Sequence, residues 1–170
     1  MRAERSSDKM DSGPSDQGTN RDRRIAFVQS SWHKDLVDQS RSAFVAEIEQ
    51  FGIADSQIDF FEVTGAFEIP LHAMRLAKSG IYDAIVAAGL IVDGGIYRHE
   101  FVADAVIEGL MRVQLDTGVA VISAVLTPHH FHEQETHRAF FFEHLETKGA
   151  EAARACVHTV DALDRLPASA

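Results

Sequence analysis

Residues 83–92, DAIVAAGLIV, form an almost unbroken apolar run between a turn signal at Ser79 and Gly80 and the sharp break at Asp93, Gly94 and Gly95. A run this short, rich in Ile, Val and Ala, reads as a strand buried on both faces, which is the habit of parallel sheets. Such a strand needs helical cover on each side, and the rest of the chain supplies it. Residues 24–30, 57–63 and 119–126 are further strand-like runs, and each is followed by a helical pattern. After the first run, Leu36, Val37, Phe44, Ile48 and Phe51 form an amphipathic stripe that Gly52 ends, with Ser31 or Asp35 available to cap its start. Helices are expected over about 70–78 and 100–116. Two more, over about 133–145 and 148–166, close the chain, the last with Ala152, Ala155, Cys156, Val160 and Leu163 on one face. The order β-α-β-α-β-α-β-α-α implies right-handed crossovers and a three-layer α/β/α sandwich around a four-stranded parallel sheet. Four strands leave apolar surface at the sheet edges, which favours a homo-oligomer.

Residues 1–22 lack any apolar period and are expected to be a disordered tail, since they cannot bury enough surface to offset their ordering entropy. Residues 23–170 then form a single domain. Arg21, Arg23 and Arg24 read as solvated charges flanking the first strand rather than as a nucleic-acid patch. A net charge of −10 argues against nucleic acid or an anionic membrane as partner. The single cysteine, Cys156, excludes an intrachain disulfide and suits a reducing compartment. No apolar run approaches the roughly 18 residues of a membrane span, so a cytoplasmic location is expected.

Ligands of open α/β sheets bind outside the carboxyl ends of the strands, and all four strand-end loops are unusual. Trp32, the only tryptophan, lies in the first; it is either a packing residue or a flat face for a heterocycle. In the second, Glu68 near a helix start is either a cap or a carboxylate for ligand hydroxyls. In the third, Gly94 and Gly95 match neither a Walker nor a dinucleotide fingerprint, yet suit a small anion nest beside Arg98, which otherwise pairs with Glu100 or Asp104. In the fourth, His129, His130 and His132, with Glu133, His137 and His144 beyond, invite a metal reading, but only Glu133 and His137 have helical ligand spacing, too few for a site. No metal is expected; His137 near a phosphate, or His130 in proton transfer, is the better use of these side chains.

Taken together, the loops resemble the lumazine synthase family over about residues 24–163. VTGAFEIP at 63–70 is close to the family's V-P-G-A-[FY]-E-[IL]-P. YDAIV from Tyr82 and GLIVDGG at 89–95 are similar to Y-D-A-I and G-x-V-I-R-G, and TGVAVI at 117–122 and TKG at 147–149 follow in order. The resemblance implies pentameric rings with active sites shared between neighbours. It also implies condensation of 5-amino-6-(D-ribitylamino)uracil with 3,4-dihydroxy-2-butanone 4-phosphate, needing no metal or organic cofactor. By the same resemblance, Trp32 stacks on the pyrimidine, and Ala66, Phe67 and Glu68 hold the ribityl chain and ring. Leu90, Ile91 and Val92 present backbone to the uracil edge, Gly95 and Ile96 border the phosphate, and Ser123 stands in a neighbour's pocket wall. The family's phosphate-binding Arg aligns with His137 or Arg138.

The chain departs from the pattern where the family has Arg and this chain has Asp93, and where Ile96 and Tyr97 replace Thr or Ser. The family's proton-transferring His aligns with Arg98, and His99 falls one place later. Arginine stays charged and cannot be a base, but it can donate to phosphate or to a developing oxyanion. Arg98 and His99 are therefore the catalytic candidates. These departures resemble the divergent type II branch, whose members form decamers of two pentamers. The alternative is a protein that holds flavin or lumazine with little or no turnover.

Overall fold

A computed structural model describes residues 22–96, 98–129 and 135–167, the side chains of 135–137 excepted. Its elements run β1 (Ile25–Ser30), α1 (Lys34–Ile48), β2 (Ile58–Val63), α2 (Ile69–Ala77), β3 (Ala84–Leu90), α3 (His99–Thr117), β4 (Ala120–Leu126) and α4 (Glu135–Asp164). The sheet is wholly parallel in the order β2-β1-β3-β4, the expected α/β/α architecture. Residues 1–21, most of the expected tail, lie outside the described residues.

The central strands β1 and β3 are buried along their whole length, because side chains that alternate across a pleated strand enter two cores. Ile25, Phe27, Ala84 and Val86 join Phe44, Ile48, Leu145 and Cys156 on the α1/α4 side. Ala26, Val28, Ile85 and Ala87 join Ile69, Ala73, Val106 and Leu110 on the α2/α3 side. Phe27 and Phe44 meet with ring centroids 5.1 Å apart, within the range of favourable tilted pairs.

Three expectations need correction. The last two helices are one, α4, running unbroken through Gly149. Here the glycine does not end a helix but lets two helices touch: a Cβ on it would lie 2.7 Å from Ser40 Cα and 2.8 Å from Ser40 C on α1, and closer still to the Ser40 carbonyl oxygen. The buried face of α4 is also rotated from the expected one. It comprises Phe141, Leu145, Ala152, Ala153, Cys156, Val157 and Val160, while Ala155 and Leu163 are exposed. Arg23 is not solvated. It is buried against the end of α4, where its guanidinium bonds Asp161 at 2.7 Å and Asp164 at 2.9 Å, so an apparent charge run is a strap between the first strand and the last helix.

Cys156 lies within the same core, and burial pushes its thiol up to about 12, which keeps it protonated and unreactive in the fold. No described helix is long and apolar enough to cross a membrane.

Candidate active site

The strand order makes the chain leave β1 toward β2 and return over β1 to β3. This reversal opens a crevice between the carboxyl ends of β1 and β3, where open α/β sheets take their ligands. The ladders align the four strand ends: Ser30 stands opposite Val63, and Leu90 opposite Leu126. The loops after them therefore start from one edge. Contact proves the convergence for three strands. A Cβ on Gly89 of β3 would lie 3.0 Å from Ser30 Oγ of β1 and 3.6 Å from Ala66 Cβ, just beyond β2. Only a glycine lets these three approach so closely. Ser30 Oγ is buried there with no hydrogen-bond partner among the described residues.

The first loop carries Trp32, whose side chain is exposed rather than packed into the core: 64% of the residue is open to solvent. Its ring lies over the second loop, and a Cβ on Gly65 would be 3.8 Å from Trp32 Cδ2 and Cε2. The turn beneath it is held by His33, which has left-handed φ of 53°, an unusual conformation for a residue with a side chain. His33 is the N-cap of α1 and gives no side-chain cap. Neither expected cap serves. Ser31 Oγ instead lies 2.9 Å from Val63 O and 3.0 Å from Glu62 Oε1, which share its one hydrogen, and the Asp35 carboxylate pairs with Arg138 of α4.

In the second loop, Gly65 N–H donates to Glu68 Oε2 at 2.9 Å. The cap and ligand readings of Glu68 are thus compatible, since one carboxylate oxygen holds the turn and Oε1 has no partner among the described residues. Phe67 beside it is 63% exposed, as an apolar wall of an open cleft would be.

The third loop is partly committed. Leu90 completes the β3–β4 ladder, and Ile91 N–H donates to Leu126 O at 2.9 Å. Of the three residues expected to offer backbone to a ligand, Val92 keeps an amide with no partner among the described residues. The Gly95 amide is occupied as well: Gly95, at φ 75°, donates to Asp93 Oδ1 at 2.9 Å. The expected anion nest is therefore half filled by the chain's own carboxylate, standing where the resembled family has a cation. Ile96 is exposed and Tyr97 lies outside the described residues. Arg98 makes no ion pair with Glu100 or Asp104; its guanidinium stands 5.7 Å from the Phe101 ring centroid, over its face. His99 opens α3, half-buried, with Nδ1 3.6 Å from Glu100 Oε2.

One expected member, Ser123, is not joined to this cluster within one chain. Ser123 lies mid-strand on the edge strand β4, exposed, three residues short of the carboxyl end and paired with Ala87. His130 and His132 lie outside the described residues, as does the side chain of His137. His144 stacks on Phe140 with ring centroids 5.7 Å apart, and no metal-binding group of three His, Cys, Asp or Glu exists among the described residues. Arg138, by contrast, comes to the first turn of α1, three residues from Trp32, and with Asp35, Leu36 and Phe142 borders an open groove of about 390 Å³.

A family model described as 6,7-dimethyl-8-ribityllumazine synthase matches residues 22–164. The chain is 63% identical over 146 residues to a 6,7-dimethyl-8-ribityllumazine synthase of Rhodococcus erythropolis, covering 86% of this chain and 94% of that protein. It is 60% identical to 6,7-dimethyl-8-ribityllumazine synthase 2 of Pseudomonas syringae pv. tomato, covering 84% of each. A synthase of Kineococcus radiotolerans is 38% identical, over 82% of this chain and 84% of its own.

Proposed function

Because the chain belongs to the 6,7-dimethyl-8-ribityllumazine synthase family, we propose that the crevice between β1 and β3 performs the family's reaction with the residues just described. The chain condenses 5-amino-6-(D-ribitylamino)uracil with 3,4-dihydroxy-2-butanone 4-phosphate to 6,7-dimethyl-8-ribityllumazine, a step of riboflavin biosynthesis. The observation that carries the assignment of roles is the Trp32 ring laid over Gly65, beside a Glu68 carboxylate with one oxygen that has no partner among the described residues. A flat aromatic face and a carboxylate one loop apart suit a pyrimidine bearing a polyhydroxyl chain.

In this reading Trp32 stacks on the pyrimidine, with Ala66 and Phe67 as the wall beside the ribityl chain and Glu68 Oε1 as acceptor for its hydroxyls. The free amide of Val92 faces the uracil edge, with Leu90 and Ile91 holding it at that height. Gly95 and Ile96 border the phosphate. The substrate amine attacks the ketone to give an imine with loss of one water, phosphate leaves, and the ring closes with loss of a second water. Much of the acceleration comes from holding the two reactants together. Arg98 contributes a fixed positive charge toward the leaving phosphate or a developing oxyanion, and His99 is the nearest residue able to move a proton.

Arg138, or His137, supplies the second phosphate contact. Ser123, exposed midway along an edge strand, suits a wall offered to a neighbouring subunit. Open apolar side chains at Trp32, Phe67 and Ile96 support the same arrangement, in which sites form between subunits of a pentamer or of a dimer of pentamers. Relatives named 6,7-dimethyl-8-ribityllumazine synthase 2 support a place in the type II branch, and the reaction's place is the cytoplasm.

The two-substrate assay, followed by lumazine absorbance and phosphate release, separates the roles at the start of α3. Arg98→Ala is expected to lower kcat/KM by about 100-fold, the lower end of the scale for removing one preorganised electrostatic donor, and Arg98→Lys to recover part of it. An undiminished rate in Arg98→Ala, with the loss found only in His99→Ala, would move the role to His99.

A further inference from the structure

Trp32 stands on a turn tied to the adjacent strand on both sides of the indole. His33 is in the left-handed region, and no side chain caps α1. The adjacent strand adds a hold of its own. Ser31 N–H donates to Val63 O at 2.8 Å, and Ser31 Oγ lies 2.9 Å from Val63 O and 3.0 Å from Glu62 Oε1, which share its one hydrogen. The other oxygen of the same carboxylate, Glu62 Oε2, takes the Lys34 ammonium. Lys34 also reaches Asp38 Oδ1 at 3.3 Å, and that oxygen accepts from Gln29 Nε2 at 2.7 Å. One side chain on β2 therefore grips the residue before Trp32 and the second residue after it. The floor beneath the indole, Gly65, lies three residues further along the chain, just past the end of the same strand. Platform and floor are thus referred to one piece of backbone.

We infer that Glu62 is a positioning residue for this reaction, setting the height and tilt of the Trp32 face over Gly65 by clamping Ser31 and Lys34. The inference rests on the reading of Trp32 as the pyrimidine platform. The Lys34 hydrogen bond, then the Ser31 one, holds the Glu62 carboxyl below the usual carboxylate range, and the bond with Glu62 holds Lys34 above its own. The clamp therefore stays doubly charged throughout the neutral range. Exposed ion pairs add little to folding stability, so the consequence falls on the position of the ring. That separates the clamp from ordinary structural support.

The experiment uses the full chain and its only tryptophan. Acrylamide quenching and the emission anisotropy of Trp32 are compared in wild type, Glu62→Ala, Glu62→Gln and Lys34→Met, alongside KM for ribitylaminouracil and kcat. Glu62→Ala is expected to make Trp32 more quenchable and less anisotropic. It should also raise that KM by about five- to tenfold, the scale of one stacking contact, with kcat within about twofold and the melting temperature nearly unchanged. Glu62→Gln keeps an acceptor for Ser31 and should fall between. Unchanged Trp32 signals and unchanged KM in Glu62→Ala overturn the inference. So does a proportional loss of folded protein and kcat with KM intact, the signature of a merely structural role. If wild type forms no lumazine, the functional reading fails, while the Trp32 signals still decide the clamp.

Discussion

Gly149→Ala is expected to destabilise the chain by about 3 kcal/mol, although alanine is the better helix former by about 1 kcal/mol. The sign is set by contact rather than propensity. The added methyl would lie 2.7 Å from Ser40 Cα and 2.8 Å from Ser40 C, and these are backbone atoms that no rotamer change can withdraw. The two helices must part. Parting them loosens the core that Phe44, Ile48, Leu145 and Cys156 share, where each large side chain contributes about 1.5–3 kcal/mol by its burial. For a chain of this size the shift in melting temperature should be about 10 °C, at roughly 2–4 °C per kcal/mol. Gly94→Ala is the control: a Cβ there meets nothing within 4 Å, and its melting temperature should stay close to wild type. Thermal scans of the two variants side by side check both. A Gly149→Ala protein as stable as wild type would mean that α1 and α4 do not touch at this point.

The second large effect concerns activity and leaves the fold alone. Trp32→Ala should lower kcat/KM by about 10- to 100-fold, since a base stacked on an aromatic side chain is worth about 1–3 kcal/mol by alanine substitution. Because 64% of the residue is already exposed, little burial is lost, and the melting temperature should hardly move. Trp32→Phe keeps a flat face and should retain most of the activity. Steady-state kinetics with varied ribitylaminouracil test this. A Trp32→Ala enzyme with unchanged kcat/KM would remove the stacking role.

The sheet was legible in the sequence because its signal is local. β3 is an apolar run that only a doubly covered strand explains, and the α1 stripe of Leu36, Val37, Phe44 and Ile48 is buried as its spacing demands. What was not legible depends on which elements become neighbours. The sequence divides α4 near residues 146 and 147, and only the proximity of Ser40 shows why Gly149 within it is a helix–helix contact. Arg23 looks solvated until Asp161 and Asp164 arrive from the far end of the chain. Asp35 looks like a cap until Arg138 takes its carboxylate. Glu62 has no motif at all. Its role needs the β1–β2 register, in which Ser30 stands opposite Val63, and sequence spacing does not contain that register. Most of the candidate site residues could be named early because they lie in loops after strand ends, where alternating β and α elements already determine the edge. How far each backbone group is committed, as with Ile91 N–H to Leu126 and Gly95 N–H to Asp93, depends on hydrogen bonds that only the fold reveals.

The departures at Asp93 and Arg98 bear on rate, and rate separates a synthase from a protein that only holds flavin or lumazine. The most direct measurement is the initial rate of 6,7-dimethyl-8-ribityllumazine formation from both substrates, with protein and without it, at equal substrate concentrations and neutral pH. A protein-dependent rate well above the spontaneous condensation, with one phosphate released per lumazine and a large loss in Trp32→Ala, is the predicted result. A rate equal to the spontaneous one, with Trp32 fluorescence quenched on adding riboflavin, would contradict it.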